Sequence, residues 1–120
     1  MNQSRKWDLR ERTFEFSARV IQTCASLSQG TEIGVIKRQL IRAATSVGAN
    51  YRAAGRGKSR KDFISKLSIV EEEADECIYW ISLLESMGCK GIEIDWLKKE
   101  ADEIVSIIVA SKRTAKRNLE

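Results

Sequence analysis

No proline interrupts this chain of 120 residues, and apolar residues recur every three or four positions along most of it. Proline inside a helix removes a hydrogen bond and clashes with the preceding turn, at a cost of about 3 kcal/mol. Its absence over a whole chain therefore permits long, uninterrupted helices. The apolar spacing has a helical period and not the twofold alternation of a strand. Gly30, Gly55, Gly57 and Gly88 supply the punctuation, falling where the periodicity breaks. Together these features predict an all-α chain with four helical segments.

The first segment runs from about Trp7 to Leu27. Phe14, Ala18, Ile21, Ala25 and Ser28 form its expected core stripe, widened by Val20, Cys24 and Leu27, and Gly30 is expected to end it. Thr31 is the expected N-cap of the second, whose stripe is Ile33, Ile36, Leu40, Ala44, Val47, Tyr51 and Ala54. Ser59 followed by Asp62 resembles a capping box and opens the longest segment, Arg60 to Met87. Phe63, Leu67, Val70, Ala74, Cys77 or Ile78, Ile81 and Leu84 face inward there, and Gly88 stops it. Asp95 is the expected cap of the last helix, with Leu97, Ala101, Ile104 or Val105, Ile108 and Ala115 on its core side. The basic tail from Lys112 to Arg117 suits a helix C-terminus but is expected to fray. Connections of about 3–6 residues require antiparallel neighbours. The chain thus reads as one domain, 1–120, folded as an antiparallel up-down-up-down four-helix bundle around one core.

Composition excludes several chemistries. There is no histidine, which removes Ser–His and Cys–His nucleophile activation and histidine-ligated metal. Cys24, Cys77 and Cys89 are odd in number and lack metal-ligand spacing, so reduced, mostly buried thiols are expected. No enzyme activity, cofactor or metal is expected. No stretch reaches the roughly 18 apolar residues of a membrane span, and the first residues lack the apolar core of a signal peptide. Cytoplasmic residence is the expectation.

The net charge of +4 hides an asymmetry: residues 1–66 carry fourteen cations and five anions, residues 67–120 seven and twelve. The sharpest concentration is Arg52, Arg56, Lys58, Arg60, Lys61 and Lys66, with only Asp62 opposing it. A charged junction of this kind can be a solvated loop. It can also be a polyanion site, with backbone amides of Gly55 and Gly57 and the start of the next helix joining the cations at phosphate. Preceding it, Ala43 to Ala49 is small for a helix interior and predicts close helix–helix approach, a ligand cleft being the alternative. Glu71, Glu72, Glu73, Asp75 and Glu76 form an acidic run for which Arg42 and Arg52 are candidate partners.

Ile78, Tyr79, Trp80, Ile81, Leu83 and Leu84 wrap most of the third helix, and Ile104, Val105, Ile107, Ile108 and Val109 crowd the fourth. One bundle face needs fewer. Either the core is wide, or the surplus, with Tyr79, Trp80, Leu83 and Ile107 as contact residues, is a homo-oligomer interface.

The blocks QLIRAATSVGANYRAA, GKSRKDFISKL and EEADECIYWISLLESMG occur in order at short spacing. Over roughly residues 14–110 the chain resembles the four-helix-bundle family encoded by intervening sequences in bacterial 23S rRNA genes, relatives of the accessory protein of diversity-generating retroelements. The resemblance implies a ring-like homopentamer, bacterial and cytoplasmic, without known catalytic activity; in the retroelement relative the basic surface binds nucleic acid and the reverse transcriptase. Asn50, Arg52, Ser59, Arg60, Asp62, Lys66, Glu73 and Glu76 are the family-like polar positions, none with a catalytic role to transfer. Relatives often carry an acidic residue near Ala54, and this chain does not. The expected function is RNA or DNA backbone binding by a homo-oligomer, with a protein-interaction scaffold as the alternative.

Overall fold

The computed structural model describes residues 9–119. Four helices follow in order: α1 Leu9–Ser26, α2 Thr31–Ala54, α3 Arg60–Ser86 and α4 Ile92–Arg117. No strand occurs among the described residues. Each helix packs along the next and α1 packs against α4, closing a bundle 50 × 30 × 20 Å in extent. None of the four is long and apolar enough to cross a membrane. The expected helix start at Trp7 and most of the segment read for targeting lie outside the described residues.

α3 begins as its sequence predicts. The Ser59 hydroxyl accepts a hydrogen bond from the Asp62 amide at 3.1 Å, satisfying one of the donors a first turn leaves open. The helix ends before Gly88, whose φ of +94° is a left-handed conformation that glycine adopts without a Cβ clash. The other two caps depart from expectation. Gly30, not Thr31, occupies the cap position of α2, and it adopts φ −59° in place of the left-handed turn expected after α1. α4 starts at Ile92, well before Asp95, because Gly91 at φ +138° turns the chain early. Glu93 and Asp95 then both sit in the first turn, where the helix dipole favours anions, and Ile94 reaches the core.

The inward stripes of α2, α3 and α4 are the predicted ones: Leu40, Ala44 and Val47 on α2, Leu67, Val70, Ala74, Cys77, Ile81 and Leu84 on α3, and Leu97, Ala101, Ile104 and Ile108 on α4 are buried. Tyr51 and Phe63 stop at half-burial. α1 corrects the sequence reading. Val20 and Cys24 are buried and Ala18 and Leu27 half-buried as expected, but Leu9, Thr13, Phe16 and Thr23 face the core with them, while Phe14 is 74% exposed and Ile21, Ala25 and Ser28 are also exposed. Both sets have helical spacing, so period alone does not choose between them. Thr13 can face inward because its hydroxyl returns a hydrogen bond to the Arg10 carbonyl at 3.1 Å.

The small run on α2 brings α1 close. A Cβ on Gly48 would lie 2.8 Å from Ser17 Oγ and 3.3 Å from the Thr13 carbonyl oxygen. Ser17 Oγ in turn lies 2.7 Å from the Ala44 carbonyl oxygen, a hydrogen bond across the helix pair that only a close approach allows. The basic tail is also better anchored than expected: α4 stays helical through Arg117, with Ala115 buried.

Candidate functional site

α2 ends and α3 begins at one end of the bundle, and the turn between them, residues 55–59, projects the cations. Arg52, Arg56, Lys58, Arg60 and Lys61 are exposed, and Lys66 is half-buried one turn further along α3. None of the six forms a salt bridge or side-chain hydrogen bond among the described residues, whereas Arg12, Arg19, Arg42, Lys98 and Lys112 are all paired. Unpaired, solvated cations crowded together keep their field available to a polyanion.

The glycines of this turn do not form the amide cradle that the sequence suggests. The Gly55 amide donates to the Tyr51 carbonyl at 3.3 Å, Arg56 to Ala53 at 3.0 Å, and Gly57 to Ala54 at 3.0 Å. Those donors finish α2. Gly57 serves packing instead: a Cβ there would meet Asp62 Oδ2 at 2.9 Å and the Phe63 amide nitrogen at 3.3 Å, so the turn folds down on the first turn of α3. Asp62 already places an anion at that helix start. What the turn offers to an anion is therefore its Lys and Arg side chains and not its backbone amides.

The fold adds cations that the linear sequence separates. Arg60 and Phe63 line one groove with Ser111, Thr114 and Ala115, which puts the last turns of α4 at the same end as the α2–α3 turn. Arg113, Lys116 and Arg117 are exposed there and also lack an ion partner among the described residues. Lys112 is different, held to Glu71 at 2.8 Å. The basic tail was visible in the sequence; its proximity to residues 52–61 required the return path of α4.

The acidic run is partly neutralised within the fold. Arg42 bridges Glu73 at 3.4 Å and Glu76, while Arg52, the other expected partner, pairs with neither. Trp80 donates its indole N–H to Glu76 at 2.9 Å. That bond, with Arg42 behind it, holds the Glu76 carboxyl below its usual range. Across the bundle Arg12 grips Glu100 with two nitrogens at 2.8 and 2.9 Å and Glu103 with one, raising its own pKa. Burial pushes the Cys24 thiol up to about 11 and raises Cys77 as well, so both are poor nucleophiles.

The four expected contact residues divide. Tyr79 is 58% exposed and stacks edge-on against Trp80, with ring centroids 5.0 Å apart. Trp80, Leu83 and Ile107 are half-buried and pack against the core. The most exposed large apolar side chains lie elsewhere, at Phe14 on α1 and at Ile92, 85% exposed, at the first position of α4. The outer stripe of α1 is visible in the sequence as a helical period, and period alone does not show that it faces outward.

A family model described as 23S rRNA-intervening sequence protein matches residues 5–110. Among solved structures, the chain is similar to a crystal structure of a protein with unknown function from the S23 ribosomal protein family of Bacteroides thetaiotaomicron. The two share 30% identity and a TM-score of 0.79, over 86% of this chain and 96% of that one. No curated protein matches.

Proposed function

The chain belongs to the 23S rRNA-intervening sequence protein family, and we propose that it is a non-catalytic bundle protein that assembles with copies of itself and binds RNA or DNA backbone through its basic end. The observation that carries this reading is the gathering of Arg52, Arg56, Lys58, Arg60, Lys61, Arg113, Lys116 and Arg117 at one end, exposed and without ion partners among the described residues. Phosphate contacts give affinity without sequence readout. The short connections at residues 27–30, 55–59 and 87–91 support the antiparallel up-down-up-down order that builds this end. Side chains such as Phe14, Tyr79 and Ile92, left uncovered by one copy, support self-assembly, and the family resemblance implies a pentameric ring. Several basic ends in one particle would bind a long polyanion with avidity.

The alternative is a scaffold that docks a polypeptide such as a reverse transcriptase, favoured by the second apolar face of α1. Filter binding against RNA and DNA at two salt concentrations separates the two. Affinity should fall steeply with salt, by about 0.9 in log–log slope per duplex phosphate neutralised and about 0.7 per single-strand phosphate. Arg56→Ala, Lys58→Ala and Arg60→Ala together should weaken every nucleic acid similarly and leave helix content unchanged. Tight binding by the triple variant, or none by the parent at low salt, refutes the nucleic-acid reading and leaves the scaffold.

A further inference from the structure

An open groove of about 850 Å³ runs from the basic end between α1, α4 and the facing ends of α2 and α3. We infer that it receives an unstacked nucleobase, so that the basic end prefers single-stranded nucleic acid over duplex; this rests on the polyanion reading above. The volume lies within the roughly 300–1,000 Å³ of small-molecule sites. Tyr51 and Phe63, one from each helix of the basic turn, are half-buried in its wall with Ile107 of α4, and Ala110 of α4 lies exposed on it. The Tyr51 hydroxyl makes no hydrogen bond among the described residues and is not sealed in the core, so it remains a protonated donor open to the groove. Ser111 and Thr114 add hydroxyl-bearing residues to the lining.

Charge fixes what can enter. Arg60, one of the unpaired cations, stands at one end of the groove, and Asp102 and Glu103 stand at the other. Glu103 is answered by Arg12 at 2.9 Å, while Asp102 has no ion partner among the described residues. Phosphate is drawn to the Arg60 end and repelled from the Asp102 end. The apolar middle therefore suits an uncharged, flat group attached to a phosphate that stays outside, among Arg56, Arg60, Arg113 and Arg117. A base on a single strand has that form. A duplex keeps its bases paired and presents phosphates alone, gaining only the electrostatic part. An amphipathic peptide would also find apolar wall here, but the cations at the mouth oppose a basic peptide and favour a polyanion.

The test is a fluorescence-anisotropy comparison of one labelled oligonucleotide, as single strand and as duplex, against the full chain at fixed salt. Base–aromatic contact should make the single strand bind on the order of 5-fold tighter or more per base seated. Ala110→Trp, at an exposed position on the groove, fills it. It should bring single-strand affinity down to the duplex level and leave the duplex unchanged, with circular dichroism confirming the helices. Should that variant lose helix content, Thr114→Trp on the exposed rim makes the same test. Equal parent affinity for the two forms, or a filled groove that leaves the preference intact or weakens both forms alike, overturns the inference while the polyanion reading stands. A parent that binds no nucleic acid overturns both.

Discussion

Replacing Gly48 with alanine tests the packing that sets the position of α2 against α1. Helix propensity alone predicts a gain of about 1 kcal/mol, since glycine is that much worse than alanine inside a helix. The structure predicts the opposite sign. The new Cβ would lie 2.8 Å from Ser17 Oγ and 3.3 Å from the Thr13 carbonyl oxygen. Ser17 must rotate, which loses its bond to the Ala44 carbonyl, about 1 kcal/mol, and leaves that carbonyl partly unsatisfied. The Thr13 backbone contact cannot rotate away, and overpacking of this kind costs about 1–3 kcal/mol. Net destabilisation of about 1–3 kcal/mol follows after subtracting the propensity gain, with Gly48→Leu worse. Chemical denaturation at fixed protein concentration is the assay, because self-association would add to apparent stability. Ser17→Ala removes the nearer clash, so Gly48→Ala should cost less in that background, and the double-mutant cycle should show coupling. Gly48→Ala that stabilises the chain by about 1 kcal/mol, with no coupling to Ser17, would refute the close approach.

Phe14→Glu with Ile21→Glu, both exposed positions, should leave the helices intact and shift particle mass downward by light scattering; unchanged mass removes α1 from the assembly surface. Trp80→Glu should lower mass too, but with a loss of stability, because the indole is half-buried and bonded to Glu76. Glu76 is held below its usual 4.5 by Trp80 and then Arg42. Its contribution is complete above that value and is lost as pH falls through the lower folded pKa, so Glu76→Gln should lower stability near neutrality, converge with the parent at acid pH, and so flatten the acid side of a stability–pH curve. Thiol titration of the native chain at neutral pH should label Cys89 first, with Cys24 and Cys77 reacting only on unfolding.

Sequence by itself determined the elements. An absence of proline, helical spacing, glycine breaks and the Ser59 cap specify four helices and most of their inward faces, because these are local properties of backbone and side-chain period. It also determined that residues 52–61 would be a dense cation cluster, since adjacent charges in a short turn cannot disperse. Tertiary structure decided the rest. α1 has two stripes of equal period, and the one that faces inward is set by the partners available: Ser17 and Thr13 fit against the glycine of α2, whereas Phe14 and Ile21 stay exposed. Distant parts of the chain met only through the return path of α4, which carries Arg113, Lys116 and Arg117 to the turn they extend and encloses Tyr51 and Phe63 in a groove. Local pattern sets which face of a helix can be buried, but long-range packing sets which face is.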